Sequence, residues 1–322
     1  MKKQPLVLVL TDVTNPNLDS QLDLLATVPH VVATSETAAA DAAKQAEVIL
    51  HWTGSRDLLR AAFLANPGIG WVHSRSAGLD SLLFPELVES AVPLTNGTGV
   101  FSQSLGEFAL AIILYFAKDF RRMLRNQEAG RWEQFDVEEI EGQTVGIVAY
   151  GDIGRAVASR VHAMGMRVLA LKRHAPAAGD PLISQFYGPD ELTAMLGQCD
   201  FVVVAAPLTA ETRHMISDDA FAAMKPNAVV INIGRGPVID QAALVQALST
   251  GRIKGAGLDV FEREPIPEGD PIYKFENVLV SPHCADHTKD WLNQAMRFFL
   301  LQYERFWNGQ PLENVVQKHL GY

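Results

Sequence analysis

The chain has 322 residues, 48% apolar and 20% charged, which is enough for two domains that each bury a core. Its 27 basic and 37 acidic residues give a net charge of −10. That balance argues against a general nucleic-acid binder, because phosphate affinity needs a cationic surface, but a small anionic ligand needs only a local cluster of donors. Two cysteines, Cys199 and Cys284, make no disulfide framework and point to a cytoplasmic protein.

The N-terminus, MKKQPLVLVLTDVT, carries two lysines and an apolar run of about six residues without a cleavage site, so it reads as a first strand and not as a signal peptide. Further strands are expected at VVATS, EVILHW and IGWVHSR, with AADAAKQA and RDLLRAAFLA helical between them. This alternation predicts a parallel sheet flanked by helices. The segment NGTGVFSQSLGEFALAIILYFAKDFRRMLRNQ reads as a loop entering one helix, apolar on nearly every face and therefore buried. Its longest apolar stretch is about half a membrane span, so no membrane partner is expected. From about residue 142 the alternation restarts: TVGIVAY, RVLALK, FVVVAAP, AVVINI, IKGAGLDVF and NVLVSPH are strands, with RAVASRVHAMG and DQAALVQALSTG among the helices. Valine- and isoleucine-rich runs without polar alternation suit a sheet buried on both faces. The last helix, LNQAMRFFLLQYERFWNG, is expected to return to the first domain. The expected domains are 1–98 with 288–322, and 99–287.

In TVGIVAYGDIGRAVA, residues 149–154 match the dinucleotide turn G-x-G-x-x-G with Ala149 in place of the first glycine. Gly151 would let the backbone approach a pyrophosphate, Gly154 would let the helix pack on the strand, and the amides near Asp152 and Ile153 would face phosphate. Ala149 is tolerable if its φ is negative. Where a ribose-gripping acid would end the second strand stand Lys172, Arg173 and His174. They cannot accept from a ribose hydroxyl, but they suit a 2′-phosphate. This favours NADP(H) and leaves NAD(H) possible.

In an open parallel sheet ligands bind beyond the carboxyl ends of the strands. Arg235, Asp259, Glu264 and His283 fall within a few residues of successive strand ends. VGIVAYGDIGRAVA, APLTAETRHMI, MKPNAVVINIGRGPVID, LVQALSTGRIKGAGLDVFEREPIP and NVLVSPHCA, together with SAGLDSL upstream, resemble the D-2-hydroxyacid dehydrogenase family. The resemblance covers most of the chain and is vaguest over residues 1–65. It implies an α/β fold of two doubly wound parallel-sheet domains, a Rossmann-type cofactor domain inserted in a flavodoxin-like substrate domain. It also implies hydride transfer between a nicotinamide and a small 2-keto or 2-hydroxy acid. In that reading His283 is the acid–base, Glu264 raises its pKa, and Arg235 forks onto the substrate carboxylate. Backbone amides around Ala77 and Gly78 would hold the other carboxylate oxygen. Asp259 would orient the nicotinamide amide, and Pro207, Thr212 and Ile233 would line the cofactor channel.

A homodimer is expected from the resemblance, with Trp132 in its packing. No metal is expected, because HCADH lacks the glutamate of H-E-x-x-H. The sequence stops after its last helix, which favours short reductases of glyoxylate or hydroxypyruvate over long phosphoglycerate dehydrogenases. A dinucleotide-sensing, corepressor-like protein without turnover is the alternative. Formate- or phosphite-oxidising enzymes fit less well, being NAD-linked. Besides Ala149, Gly106 departs from the family pattern, where alanine is commoner.

Overall fold

The computed structural model describes residues 3–12, 18–174 and 179–322. It forms two compact units, Met1–Phe101 with Lys289–Tyr322, and Ser102–Thr288. Among the described residues no helix is long and apolar enough to cross a membrane.

The first unit contains β1 (Val7–Leu10), α1 (Leu18–Leu22), β2 (His30–Ala33), α2 (Glu36–Ala43), β3 (Val48–His51), α3 (Arg56–Ala65), β4 (Trp71–Ser74), α4 (Pro85–Glu89) and β5 (Leu94–Thr95). The parallel order is β2-β1-β3-β4-β5, the flavodoxin-like winding. Strands β1, β3 and β4 are buried along their whole length, as their apolar runs predict. Ser35 and Ser55 start α2 and α3 by accepting from the amides of Ala38 and Leu58, the usual N-cap bond. The chain's final helix, labelled α11 below (Trp291–Asn308), belongs to this unit. Its Phe299 stacks on Trp71 at 5.3 Å, and Tyr303 donates its hydroxyl to the Pro5 carbonyl at 2.8 Å. His73 lies in the same core against Thr95 Oγ1, and burial pushes its pKa down to about 3. It is a neutral packing group.

The second unit contains α5 (Ser102–Ala117), α6 (Phe120–Glu128), β6 (Thr144–Val148), α7 (Asp152–Ala163), β7 (Arg167–Leu171), β8 (Gln185–Tyr187), α8 (Leu192–Leu196), β9 (Phe201–Val204), α9 (Asp218–Ala223), β10 (Val229–Asn232), α10 (Gln241–Ser249), β11 (Gly255–Leu258) and β12 (Val278–Val280); α11 completes the chain. The parallel order β12-β11-β10-β9-β6-β7-β8 is the Rossmann winding with one extra strand. Register aligns the strand ends: Leu171, Val148, Val204, Asn232, Leu258 and Val280 stand opposite one another across the sheet. Strand β8 joins the row, with Tyr187 opposite Leu171, and every strand therefore delivers its following loop to one rim.

The single helix expected after residue 101 is two. Asp119 takes a left-handed φ of 49° and caps α6 by accepting from the Arg122 amide. Nor is the segment buried all round. Glu107 and Ala111 of α5 are exposed, as are Phe120, Met123 and Leu124 of α6. Gly106 has a packing reason. A Cβ there would come within 2.9 Å of the Ala156 carbonyl, so glycine lets α5 cross close over α7.

Candidate active site

The glycine turn follows β6 and opens α7, which is capped by Gly151. A Cβ on Gly151 would meet nothing within 4 Å, while one on Gly154 would strike the Ala149 carbonyl at 2.8 Å. The first glycine thus leaves open space over the backbone and the second permits close helix–strand packing. The first amides of α7 have no partner within the helix, and its N-terminus attracts anions. The expectation for Ala149 fails: its φ is 72°. The turn closes so tightly that Gly151 N–H donates to the Ala149 carbonyl at 3.1 Å. Alanine thus occupies a conformation that favours glycine, at a cost of about 1–2 kcal/mol. Lys172 supports the turn, donating Nζ to the Tyr150 carbonyl at 2.9 Å. Asp152 turns aside to accept from the buried Ser102 hydroxyl.

At the end of β7, Arg173 and His174 are exposed, and Arg173 Nη2 lies 3.0 Å from Glu211 Oε2. Beyond β9 the loop folds on itself: Thr212 donates Oγ1 to the Pro207 carbonyl at 2.6 Å and accepts from the Thr209 amide at 2.8 Å. Ile233 is buried and donates its amide to Val204. The residues present fit a dinucleotide phosphate chain: open space over Gly151, free helix amides, and cations at the neighbouring strand end.

On the other half of the rim, Arg235 follows β10. Its backbone is pinned by the buried Asn232, whose Nδ2 donates to the Arg235 carbonyl at 3.1 Å and whose Oδ1 accepts from the Gly234 amide at 3.1 Å. A Cβ on Gly236 would lie 1.8 Å from the Phe261 carbonyl, so the β10 and β11 loops touch there. Glu264 accepts from the Phe261 amide at 2.9 Å through Oε1 and meets His283 Nδ1 at 2.6 Å through Oε2. The Glu264 hydrogen bond raises the His283 pKa above its usual value against the opposing pull of burial; the carboxylate charge adds to the rise and Arg235 reduces it. Burial pushes the Glu264 carboxyl up, but the bonds from His283 and Phe261 and the charges of His283 and Arg235 outweigh it and hold it low. Nδ1 of His283 is engaged by Glu264, which leaves Nε2 as the ring nitrogen able to exchange a proton with a ligand.

His283 itself sits at φ 51°, and Asp259 holds the loop in that shape. The buried Asp259 carboxylate accepts from Ser281 Oγ (2.6 Å) and from the amides of Cys284 (2.9 Å) and Ala285 (3.2 Å), while its carbonyl accepts from the His283 amide at 2.9 Å. Asp259, expected from the resemblance to orient the nicotinamide amide, thus also holds the loop that carries His283. In the first unit, Ala77 and Gly78 lie in the loop after β4, where Asn96 Nδ2 donates to the Ala77 carbonyl at 2.7 Å. Beside them the Arg75 guanidinium lies 5.3 Å from the Trp52 ring and 4.9 Å from the Trp291 ring. Sequence reasoning missed Asn96, Asn232 and Glu211. An asparagine ending the strand run AVVIN was the available signal for Asn232.

Fold and rim together define a dinucleotide-dependent oxidoreductase. The family model described as D-isomer specific 2-hydroxyacid dehydrogenase, NAD binding domain, matches residues 110–285. A glyoxylate reductase of Korarchaeum cryptofilum is 34% identical over 264 residues, 80% of this chain and 79% of that one. One from Thermococcus gammatolerans is 35% identical over 264 residues, 79% and 78% of the two chains. Among solved structures, a D-isomer specific 2-hydroxyacid dehydrogenase from Xanthobacter autotrophicus Py2, in complex with NADPH and MES, superposes with a TM-score of 0.85 at 30% identity, covering 99% of this chain and 100% of that one. An NADPH-dependent glyoxylate/hydroxypyruvate reductase from Sinorhizobium meliloti, in complex with NADP and sulfate, does so at 0.83 and 27%, with the same coverage. The chain belongs to the D-isomer specific 2-hydroxyacid dehydrogenase family of NAD(P)-dependent oxidoreductases.

Proposed function

We propose that the protein reduces glyoxylate, hydroxypyruvate or a similar small 2-keto acid, with NADP(H) favoured and NAD(H) possible. The observation that carries this reading is the 2.6 Å His283–Glu264 pair on the rim that also bears Arg235. When bound, the nicotinamide supplies the hydride. The protein's own groups do the rest. Arg235 binds the substrate carboxylate and polarises the carbonyl, and His283 Nε2 gives the proton to the oxygen that becomes the hydroxyl. Glu264 keeps the imidazolium charged until then. Gly151, Asp152, Ile153 and Gly154 hold the pyrophosphate through backbone amides. Arg173 and His174 receive the 2′-phosphate, and Pro207, Thr212 and Ile233 line the channel. Ala77 and Gly78 of the first unit contribute amides to the substrate carboxylate, which makes that unit the substrate domain.

Apolar side chains in one sequence segment of the second unit support a homodimer: Leu124 is 54% exposed and Trp132 94%. A second copy would cover both. Free cysteines agree with a cytoplasmic location. The test is kcat/KM for NADPH and NADH with glyoxylate and hydroxypyruvate, on wild type and Arg173→Ala. Loss of a charge-assisted phosphate contact lowers NADPH use by about 1.5–3 kcal/mol and leaves NADH little changed. Equal loss with both cofactors would remove Arg173 from the phosphate site. Tight cofactor binding without turnover would favour the sensing protein instead.

A further inference from the structure

Arg173 follows β7 and Glu211 lies in the loop after β9, and these two strands flank β6 in the sheet. Their 3.0 Å ion pair therefore spans the carboxyl end of β6, over the glycine turn. The Glu211 side chain is 70% exposed; its Oε2 also accepts from Thr209 Oγ1 at 3.4 Å, in the turn that Thr209 and Thr212 close on each other. Lys172 is engaged at the Tyr150 carbonyl, so Arg173 is the cation that Glu211 meets. We infer that Glu211 is a specificity-determining residue for the cofactor: an internal anion that occupies Arg173 in the place of a ribose 2′-phosphate and must be exchanged for it.

The consequence follows from charge. A 2′-phosphate carries about −2 at pH 7, so its arrival at Arg173 breaks the Glu211 bond and sets two anions side by side. A dinucleotide without that phosphate leaves the pair intact. Glu211 thus mutes a preference that Arg173 alone would make strong, and the enzyme uses both cofactors with a moderate bias toward NADP(H). The inference rests on the proposed cofactor site.

Binding of two cofactor fragments, 2′,5′-ADP and 5′-AMP, tests it by calorimetry without turnover. The proteins are wild type, Glu211→Gln, Arg173→Ala and the double variant, each at low and physiological salt. Glu211→Gln should bind 2′,5′-ADP about tenfold tighter, chiefly at low salt, with 5′-AMP unchanged. In the Arg173→Ala background most of that gain should vanish. A gain shared equally by both fragments, or none for 2′,5′-ADP while 5′-AMP still binds, overturns the role of Glu211 and leaves the cofactor site standing. Failure of wild type to bind either fragment overturns the site and this inference together.

Discussion

At the scale of single residues, two left-handed positions frame the site. His283 holds φ 51° because Asp259 binds the three amides that follow Ser281, and Glu264 then sets its charge. If His283 gives the proton as proposed, the reduction rate is full below its raised pKa and is lost as pH rises through it. Glu264→Gln removes the hydrogen-bond partner and charge that cause the rise. The alkaline limb of kcat/KM should therefore move to lower pH, with a loss at alkaline pH bounded by the ~10²–10⁴ that a general acid contributes. An unmoved limb would separate Glu264 from the proton. Ala149, at φ 72°, holds a conformation that favours glycine in a turn that Lys172 braces. Ala149→Gly should raise stability by about 1 kcal/mol in urea unfolding. The sequence shows a missing glycine there, but residue identity alone cannot show that the left-handed conformation persists without it.

At the scale of elements, most strands of the second unit were legible because runs such as FVVV and AVVI are continuously apolar. Their aligned ends explain why Arg235, Asp259 and His283 could be picked as rim residues from position alone. Other elements were not legible. LTN and SQFYG carry too few residues for a periodic signal, so β5 and β8 passed unseen. The break between α5 and α6 falls at Lys118–Asp119, where neither glycine nor proline marks it. Arg173 and Glu211 are 38 residues apart, a separation at which no pattern predicts contact. Gly106 shows tertiary structure overriding propensity. Replacing a helical glycine gains about 1 kcal/mol of propensity, but a larger side chain must push α5 off the Ala156 carbonyl, and overpacking costs typically 1–3 kcal/mol. Gly106→Leu should therefore lower stability by about 1–2 kcal/mol in thermal or urea unfolding; a gain would mean that the crossing relaxes freely.

At the scale of the molecule, each unit is a doubly wound sheet, and each places loops beyond its strand ends. The second unit carries the turn, the cations and the acid–base pair within one aligned row. The first carries the Ala77–Gly78 loop braced by Asn96. In the proposed function the helix amides and Arg173 of the second unit take the anionic cofactor, and the Ala77–Gly78 amides of the first take a small carboxylate. The proposed proton step rests on His283, whose charge Glu264 sets.

The proposed proton transfer from His283 is open to direct measurement. NADPH oxidation by glyoxylate would be followed in single turnovers with wild type and His283→Asn, with the Kd for NADPH measured in parallel. Hydride transfer should be about 10²–10⁴ slower in the variant, with cofactor affinity unchanged. A variant that binds NADPH normally and transfers hydride at the wild-type rate would contradict the proposed role of His283.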